Sequence, residues 1–351
     1  METDNQKELP SSQWELIVIG AGVSGMAARE RWLQSGRSCL TLEKSRGVGG
    51  RAAIKRIHDG VFADLGIQSV PTQEGRFRDW LKKWGGRLAL NPSNQERDSW
   101  IHPDGINQFV KRISIHARQE HSPILFQKKV IEVRHPSSPE LPGFELILES
   151  GEILSARHVA ITAPLPQALG MPGMEHLLPS SQFKDLSAVA FTPCFALVIV
   201  ENAPLGEMLK VAEIDYGLSG IAEVTEQRSK GLNVSERVWV VHSTGEWAQA
   251  HWSLADEEVR NRLFEGWRSL FGVSEEVRNR VDVLLHRWRF SRVKNPVSRR
   301  FHRTGEEARG FFYWIGDAFG PSNEVDFERA YFSGVTAAED LIEGTPKIQP
   351  S

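Results

Sequence analysis

Three glycines near the N-terminus have the spacing of a phosphate-binding turn. The stretch VIGAGVSG supplies Gly20, Gly22 and Gly25 in the order G-x-G-x-x-G, between an apolar run and a stretch with helical spacing. In that context the first glycine permits a tight turn, the second lets the backbone approach a pyrophosphate, and the third lets helix and strand pack closely. Glu43 follows at the end of the next apolar run, where a carboxylate accepts hydrogen bonds from a ribose. The pattern predicts a dinucleotide site.

A second glycine-rich turn follows Glu43 and indicates which dinucleotide is bound. In the stretch EKSRGVGGRAA, Gly49 and Gly50 come directly before Arg51. Adjacent glycines let a chain pass close to a large planar ligand, and an arginine pairs well with a pyrophosphate. A domain that binds only NAD has no use for this second turn, whereas a flavin dinucleotide must be held along its whole length. The two turns together favour a flavin.

An acidic residue stands at the end of an apolar run near the C-terminus. In the stretch WIGDAFGPSNEVDFERAYFSG, the run 311–315 ends in Gly316-Asp317, and a loop and a helix from about Phe327 follow. A carboxylate in this place has two interpretations, because it can cap the following helix or contact a ligand at the strand end.

The elements that must position these residues are predicted from apolar periodicity. A strand at 14–19, a helix at 23–35 and a strand at 38–42 form a β-α-β unit, which requires a right-handed crossover and a parallel sheet. The stretch 311–345 returns to close this unit. Between them, helices are predicted at 75–85, 105–119, 256–271 and 274–281, and strands at 124–135, 143–150, 157–164, 194–200, 237–244 and 282–290.

The bulk composition excludes several classes of protein. The chain has 351 residues, a net charge of −3 and two cysteines, Cys39 and Cys194, in apolar contexts. The charge argues against a general nucleic-acid binder, and the cysteines argue against a disulfide framework or a Cys-based zinc site. The polar N-terminus lacks the regions of a signal peptide, and no apolar run has the length of a membrane span. We expect no metal, no nucleic-acid partner, no membrane span and a cytoplasmic location.

The order of the motifs resembles that of a known family. The stretches IGAGVSG, LEKSRGVGGRAA and FADLGIQSV are similar to those of FAD-dependent flavoproteins of the amine oxidase type, and specifically of the renalase-like branch. The resemblance continues through DLGIQSVPTQEGRFRDWLKKW, SWIHPDG, VWVVHSTGEWAQAH, LLHRWRF, WIGDAFG and AYFSGVTAAEDL. It covers nearly the whole chain beyond residue 14.

The resemblance implies an α/β fold and a division into two domains. A Rossmann-like FAD-binding domain would be interleaved with a β-rich α+β substrate domain, in a topology like that of p-hydroxybenzoate hydroxylase. The FAD-binding domain would comprise 14–70, 101–165 and 305–345, the substrate domain 71–100 and 166–304, and the flexible tails 1–13 and 346–351.

The resemblance also assigns residues to the cofactor. These are Gly20, Gly22, Gly25, Glu43, Gly50, Arg51, Val130, Gly316 and Asp317. Asp317 would hydrogen-bond the ribityl chain or lie by the pyrophosphate. The final helix would direct its N-terminus at the N1–O2 edge of the flavin, where its dipole favours the anionic reduced form. No cysteine lies near the C-terminal flavin segment, so the FAD is expected to be non-covalent.

The activity implied by the resemblance is a hydride transfer. Renalase-like enzymes oxidise dihydropyridine isomers of NAD(P)H, pass the hydride to flavin N5 and return the electrons to dioxygen, which becomes hydrogen peroxide. We therefore expect an FAD-dependent oxidoreductase that acts on a carbon next to nitrogen in a small molecule, with a nicotinamide dinucleotide as the leading substrate and O2 as acceptor. Two alternatives stay open: an amine oxidase or desaturase of the same superfamily acting on a hydrophobic substrate, and a low-turnover flavin-binding regulatory protein.

Three residues are candidates for the substrate side of the site. By the resemblance, Gln68 lies near the isoalloxazine, and His242 faces the substrate pocket from the end of an apolar strand. Trp288 would share one strand face with His286 and Phe290 and form a wall for a flat ring. Each residue also has a structural interpretation. Gln68 could be a buried amide bonded to the backbone, His242 a structural histidine and Trp288 a tryptophan of the core.

The segment 286–303 contains seven Lys/Arg residues and no acids. It is interpreted as a solvated strand edge and loop, as an attraction for a phosphate-bearing substrate, or, most weakly, as a nucleic-acid contact.

The C-terminal stretch also departs from the family. Renalase-like proteins carry a shorter loop and a Glu-Gly-Ala before the helix, whereas this chain has Glu328-Arg329-Ala330 after a longer loop. Arg329 would stand where the family has a glycine beside the flavin edge. Asp326 and Glu328 would add negative charge there and disfavour the reduced anion. The altered segment 318–329 is therefore the part of the sequence that argues against carrying over the family's substrate and oxidase turnover.

Overall fold

The computed structural model describes residues 14–72, 75–90, 98–116, 122–138, 141–202 and 219–345. The predicted tails, 1–13 and 346–351, lie outside the described residues, as do residues 117–119 of the helix predicted at 105–119.

The described residues form strands and helices that are interspersed along the whole chain. The strands are β1 (Trp14–Ile19), β2 (Leu40–Glu43), β3 (Ile54–His58), β4 (Val61–Asp64), β5 (Val70–Pro71), β6 (Arg87–Leu88), β7 (Ser99–Ile101), β8 (Ile124–Phe126), β9 (Val130–Arg134), β10 (Phe144–Leu148), β11 (Ile153–Ile161), β12 (Phe191–Glu201), β13 (Ile221–Glu226), β14 (Val238–Ser243), β15 (Val281–Val293), β16 (His302–Glu306) and β17 (Gly310–Trp314). The helices are α1 (Val23–Gln34), α2 (Gly75–Lys83), α3 (Asn107–His116), α4 (Leu165–Leu169), α5 (Met174–Leu177), α6 (Ser180–Ser187), α7 (Gly245–Ala250), α8 (Asp256–Leu270) and α9 (Asp326–Glu343).

The first sheet is mixed and has eight strands. Its order is β16-β17-β11-β1-β2-β8, and β10 and β9 extend it from β11. The strands β8, β2, β1, β11 and β17 run parallel to one another, whereas β16 pairs antiparallel with β17 and β10 pairs antiparallel with β11. The α/β fold with a Rossmann-like unit at 14–43 is thereby confirmed, and the last part of the chain returns to the same sheet as β17.

The strand β1 is apolar throughout because both of its faces are covered. Leu16 and Val18 pack with α1 and α9 on one face, and Ile17 and Ile19 pack on the opposite face with the cluster that contains β9, β10 and α4 to α6. Successive side chains of a strand point to opposite faces, so a strand with both faces covered has apolar residues at every position. This explains why the N-terminal strand is so readily predicted.

The helices α1 and α9 lie in close contact and join the two ends of the chain. A Cβ placed on Gly334 would lie 2.1 Å from the carbonyl oxygen of Ser24 and 3.0 Å from the backbone nitrogen of Ala28. The small residues Ala28, Ala337 and Ala338 are buried in the same cluster. The absence of a side chain at Gly334 therefore lets α9 approach the first turn of α1.

The second sheet is antiparallel and has four strands in the order β13-β14-β12-β15. On one face, Phe195, Leu197 and Ile199 of β12 pack against α8. On the other face, Val198 and Val200 pack against the hairpin formed by β3 and β4. The hairpin therefore packs on the face of the second sheet opposite α8. A third, small sheet has the order β5-β7-β6.

Two predicted elements differ from the structure. The strand predicted at 124–135 is broken at Gln127, whose φ is 57°, so that β8 pairs in parallel with β2 while β9 pairs antiparallel with β10. One apolar run thus forms two strands that pair with different neighbours, β2 and β10, and the apolar periodicity does not show the break between them. The helix predicted at 274–281 is instead a 3₁₀ helix, Glu275–Arg280.

Among the helices of the described ranges, none is both long enough and apolar enough to cross a membrane.

The contact of α1 with α9 predicts that Gly334→Ala destabilises the protein. The new methyl group meets backbone atoms, which cannot rotate away, so we expect a loss of roughly 1–3 kcal/mol in the free energy of unfolding. The measurement is urea denaturation. Gly75→Ala is the matched control, because a Cβ there meets only the end of the Arg78 side chain at 3.9 Å. Equal stability of the two variants would contradict the close packing.

Candidate active site

The two glycine turns lie side by side. Gly22 and Gly49 form an isolated parallel bridge, and the Gly49 N–H donates to the Ala21 carbonyl at 3.0 Å. Gly49 has a φ of 134° and Gly50 a φ of 57°, in a region that residues with a side chain rarely adopt. The two motifs, which are separated in the sequence, therefore form one backbone surface at the end of β1.

The carboxylate of Glu43 closes this surface from the tip of β2. Its Oε2 accepts from the Ala21 N–H and its Oε1 from the Ser45 N–H, both at 2.7 Å. The side chain is buried. Each oxygen has a second lone pair that remains available to a hydroxyl donor. Glu43 is therefore held in the place where an acid would accept from a ribose.

The glycine positions fit a dinucleotide. A Cβ on Gly22 would have no neighbour nearer than Gly50 Cα at 4.0 Å, so its face is open, whereas a Cβ on Gly25 would lie 2.1 Å from the Gly20 carbonyl. Gly22 also precedes α1 without a side-chain cap, which leaves the N-terminal N–H groups of the helix for an anion. Gly22 is therefore open to a ligand, whereas the absence of a side chain at Gly25 allows α1 to approach the turn closely.

Val130 and Gly316, which the resemblance also assigned to the cofactor, lie at the start of β9 and two residues after the end of β17. Val130 is buried at the start of β9, two residues beyond Lys128, whose N–H donates to the Glu43 carbonyl at 2.9 Å. Gly316 has a φ of 143° and donates its N–H to Ser333 Oγ of α9 at 2.9 Å.

The acid at the tip of β17 pairs with the arginine of the second glycine turn. Both oxygens of Asp317 accept from the guanidinium of Arg51, and Arg51 also donates to the Ser291 carbonyl at 3.2 Å. Burial lowers the pKa of Arg51, but the charge and hydrogen bonds of Asp317 outweigh it and raise the pKa. Asp317 does not cap α9, because the N-cap of that helix is Val325. Two residues that were assigned separately to the cofactor are thus partners.

The loop between Asp317 and α9 is organised around Arg329. The Arg329 side chain is buried, and its guanidinium donates to the carbonyls of Asp317 and Glu324 and pairs with Asp326. The adjacent Glu328 accepts from Thr72 Oγ1 at 3.0 Å. Arg329, which was predicted to stand beside the flavin edge, instead directs its side chain into the loop that precedes α9.

The three predicted substrate residues meet at the segment 64–68, which begins with the last residue of β4 and ends with Gln68. His242 Nε2 lies 2.8 Å from the Leu65 carbonyl oxygen, and Trp288 Nε1 donates to the same oxygen at 3.3 Å. Gln68 Nε2 donates to the Asp64 carbonyl at 2.6 Å. The second sheet therefore contacts the chain next to the glycine turns through polar side chains.

A buried ammonium group fixes this segment, and the sequence analysis missed it. Lys230 Nζ donates to Asp64 Oδ2 at 2.8 Å, to the Gln68 carbonyl at 3.0 Å and to Gln68 Oε1 at 2.9 Å. The exposed fractions of the Lys230 and Asp64 side chains are 4% and 0%. Burial lowers the pKa of Lys230, and the charge of Asp64 opposes that shift. A lone lysine in a loop carries no signal in a single sequence that would have identified it.

The amide of Gln68 is occupied by protein groups at both ends. Its Oε1 accepts from Lys230 and from Gln227 Nε2 at 3.0 Å, and its Nε2 donates to the carbonyls of Asp64 and Gly66. These contacts match the structural alternative for Gln68, a buried amide that positions the backbone.

His242 has an acid beside its other nitrogen. Nδ1 lies 3.9 Å from Glu223 Oε2, and the two residues face each other across β13 and β14. Burial would raise the pKa of Glu223, but the hydrogen bond and charge of His242 lower it to about 2. The charges of Arg292 and Lys230 act in the same direction. Glu223 was not predicted, because only strand pairing brings it to His242.

The strand β15 presents the predicted aromatic face to this region. The rings of His286 and Trp288 are 4.3 Å apart, edge to face. Arg287 points the other way, where it pairs with Asp256 and stacks over Phe195. The alternation expected for 286–290 is therefore seen at 286–288, whereas the pairing of β15 with β12 becomes irregular beyond Trp288.

In the described ranges, no group of three or more His, Cys, Asp or Glu side chains is placed to hold a metal ion.

The buried pair predicts that Lys230→Met is strongly destabilising, by roughly 3–5 kcal/mol, since Asp64 would keep an uncompensated buried charge. Lys128→Met is the matched control: Lys128 pairs with Glu152 at 2.7 Å, but about a third of each side chain is exposed, so a loss of no more than about 1 kcal/mol is expected. Chemical denaturation measures both. Adding Asp64→Asn to Lys230→Met should recover part of the loss; equal costs for the two lysines would contradict the account.

Glu223 predicts a pH dependence of stability. Its folded pKa of about 2 lies below the unfolded value of about 4.3, so its contribution is complete above the unfolded value and is lost as the pH falls toward 2. We expect Glu223→Gln to lose roughly 1–3 kcal/mol at neutral pH and to approach the wild type as the pH is lowered from about 5. Glu307→Gln, at an exposed turn, should show no such trend. A pH-independent difference for Glu223→Gln would refute the pairing with His242.

Comparison with known proteins places the chain among flavoproteins. The family model described as flavin containing amine oxidoreductase matches residues 88–342, and that of an NAD(P)-binding Rossmann-like domain matches residues 18–84. An L-amino-acid oxidase of Sistrurus catenatus edwardsii is 34% identical over 104 residues, and an L-amino acid oxidase of Cerastes cerastes is 30% identical over 112 residues. These stretches cover 29% and 31% of this chain and only 20% and 21% of the two relatives.

Solved structures show the same fold at low identity. A putrescine oxidase bound to putrescine superposes with a TM-score of 0.67 at 14% identity, covering 95% of this chain and 100% of the other. The cyclohexylamine oxidase of Brevibacterium oxydans superposes with a TM-score of 0.66 at 12% identity, again with 95% and 100% coverage. The family model spans well over half of the residues. The chain belongs to the flavin containing amine oxidoreductase family.

Proposed function

We propose that this protein is an FAD-dependent oxidoreductase that takes hydride from a carbon next to nitrogen in a small molecule. The observation that carries the proposal is the meeting of the two glycine turns, Glu43 and the Arg51–Asp317 pair at one edge of the parallel sheet. Ligands of doubly wound sheets bind at the carboxyl ends of the strands. The polar segment 64–68 borders this edge.

The chain's own residues would hold the FAD without a covalent bond. Glu43 would accept from the ribose, and the N-terminus of α1 together with Arg51 would bind the pyrophosphate. Burial raises the pKa of both thiols, Cys39 and Cys194, to about 11, which makes them poor nucleophiles toward a flavin. When bound, FAD supplies a two-electron acceptor that dioxygen can reoxidise with release of hydrogen peroxide.

The second sheet would position the substrate and exclude water. His242, Trp288 and Lys230 hold the carbonyls and side chains of 64–68 in one arrangement, so that the floor of the site is rigid before a substrate arrives. The ring of Trp288, packed edge to face with His286, offers an apolar wall on the same side. Gln68, with its amide occupied, acts through the backbone rather than by contacting substrate.

We favour an amine as the substrate. The relatives and structural neighbours are oxidases named for L-amino acids, putrescine and cyclohexylamine, and the family is that of flavin containing amine oxidoreductases.

A dihydronicotinamide isomer is the second candidate. The resemblance to the renalase-like branch along the chain supports it, and so does the aromatic face of β15, which suits a flat ring. In both reactions hydride leaves a carbon bonded to nitrogen, so the same site could serve either, and only direct assay separates them.

The visible spectrum and anaerobic reduction of the purified protein test this proposal. We expect a yellow protein whose flavin absorbance is bleached by an amine from a panel of L-leucine, putrescine and cyclohexylamine. Bleaching by aged NADH and NADPH, but not by fresh β-NADH, would instead identify the dihydronicotinamide activity. A flavin that no compound reduces would overturn the proposal in favour of a regulatory flavoprotein, and a colourless protein that cannot be reconstituted with FAD would overturn the cofactor assignment.

The cofactor surface gives a further prediction. Gly22→Leu places a side chain on the open face of the first turn, and we expect it to abolish flavin binding, because the backbone can no longer approach the pyrophosphate. Flavin content per polypeptide is the measurement, and Gly75→Ala serves as the control. Full flavin content in Gly22→Leu would show that the cofactor does not use this turn.

A further inference from the structure

We propose that the N–H of Gly66 donates a hydrogen bond to a carbonyl oxygen of the flavin ring, and that His242 and Trp288 are positioning residues that orient and polarise its peptide group. The inference rests on the proposed function, because it requires the flavin to lie beside the segment 64–68. It gives two residues of the second sheet an effect on the reduction potential of the cofactor.

Two side chains of the second sheet meet at one carbonyl. The Leu65 carbonyl oxygen accepts from Trp288 Nε1 at 3.3 Å and lies 2.8 Å from His242 Nε2. Because a carbonyl oxygen can only accept, the His242 nitrogen beside it carries a proton. Both lone pairs of the oxygen are therefore used. Two donors on one carbonyl draw electron density from its peptide group and strengthen the N–H of that group as a donor.

The N–H of Gly66 belongs to the same peptide group and points the opposite way. The carbonyl and the N–H of a trans peptide are antiparallel, and the described residues contain no cis peptide bond. The Gly66 N–H therefore points away from His242 and Trp288. Among the described residues, none accepts a hydrogen bond from it, and Gly66 is partly exposed. A strengthened donor thus faces a space in which no described residue provides an acceptor.

The residues on either side of Gly66 hold this donor beside the second glycine turn. The Leu65 N–H donates to the Ala53 carbonyl at 3.1 Å, and the Ile67 N–H donates to the Arg51 carbonyl at 3.3 Å. A Cβ on Gly66 would lie 2.2 Å from the Arg51 carbonyl oxygen, so only glycine permits this approach. The turn that would hold the cofactor is thus bonded directly to the segment that carries the free donor.

Two further N–H groups of this part of the chain, those of Gln68 and Ser69, also have no acceptor among the described residues. The Ser69 N–H shares its peptide group with the Gln68 carbonyl, which accepts from Lys230 Nζ at 3.0 Å. That peptide is therefore polarised by the buried ammonium group. The Gly66 peptide is the one to test, because its polarising donors can be removed without breaking the buried ion pair.

A donor at a carbonyl of the flavin ring favours the reduced cofactor. Reduction adds electron density to the ring, and the carbonyl oxygens stay acceptors in both states, so the hydrogen bond to the reduced form is the stronger one. Removing a donor from the Leu65 carbonyl weakens the Gly66 N–H and should lower the reduction potential. An acceptor on the substrate is the alternative partner, and measurements without substrate separate the two.

Reduction potentials of the holoprotein test the inference, measured without substrate by anaerobic titration with dithionite against a reference dye. Trp288→Phe keeps an aromatic ring and removes the N–H donor. We expect the ratio of reduced to oxidised flavin at a fixed potential to fall about three- to ten-fold, which is a shift of about 15–30 mV for a two-electron couple. His242→Phe should shift the potential in the same direction. His242→Gln, whose amide keeps a donor, should recover part of that shift.

Trp239→Phe is the matched control. Trp239 Nε1 donates to Glu201 Oε1 at 2.7 Å in the same sheet, and the Trp239 ring packs on the face toward α8. Its substitution should leave the potential unchanged. Infrared spectra of the protein with FAD labelled with carbon-13 at either ring carbonyl give a second measurement. One carbonyl stretch should rise in frequency in Trp288→Phe but not in Trp239→Phe, and the label identifies the acceptor.

Equal potentials and equal carbonyl stretches in the wild type, Trp288→Phe and His242→Phe overturn the inference, since the Gly66 donor would then not reach the flavin. If Trp288→Phe loses its flavin, the comparison of His242→Phe with His242→Gln decides. Failure of the proposed function looks different, because dithionite would still reveal the shifts in potential while no amine or dihydronicotinamide bleaches the flavin.

Discussion

The ion pair of Lys230 with Asp64 is the constraint on which the site depends. An ammonium group without water around it is tolerable only where acceptors surround it, and every acceptor of Lys230 belongs to Asp64 or Gln68. The lysine comes from the second sheet's loop and the acceptors from the chain that leaves β4. Any movement of the second sheet against the Rossmann-like unit would separate them. The pair therefore sets the position of 64–68, to which His242 and Trp288 also bond.

The parts of the fold that could be predicted are those whose signals are local. The glycines of the first turn, the helix after it and the apolar strand β1 lie within a few residues of one another, and each obeys a rule of spacing. The hairpin of β3 and β4 was missed although Asp59-Gly60 stands at its turn, a dipeptide that favours tight hairpins. The break at Gln127 could not be predicted, because it arises from contacts with Glu43 and Ser45 far away in the chain.

Several residues of the candidate site were predicted from the sequence, but the contacts between their side chains were not. Arg51 and Asp317 were assigned to one cofactor, and their mutual contact joins residues 266 positions apart. Glu223 and Lys230 escaped notice because their roles exist only through strand pairing and burial, which one sequence does not display. The opposite directions of Trp288 and Arg287 on β15 follow from alternation along a strand, which is a local rule, but the irregular pairing beyond Trp288 does not. A single sequence thus shows the periodicity of a strand or helix, but it does not show which side chains from distant segments contact each other.

The longer loop before α9 and the arginine at position 329 both depart from the renalase-like pattern, and the contacts of Arg329 connect the two. Arg329 is buried, and its guanidinium donates to the carbonyl of Asp317, at the start of the loop, and to that of Glu324, within it. A loop without Glu324 would remove one acceptor of the guanidinium, and a glycine at position 329 would leave the longer loop without a donor at its centre. Loop length and residue type at position 329 should therefore be inherited together. Relatives with glycine here should have the short turn, those with arginine the long one, and a chimaera that exchanges only one of the two should fold poorly.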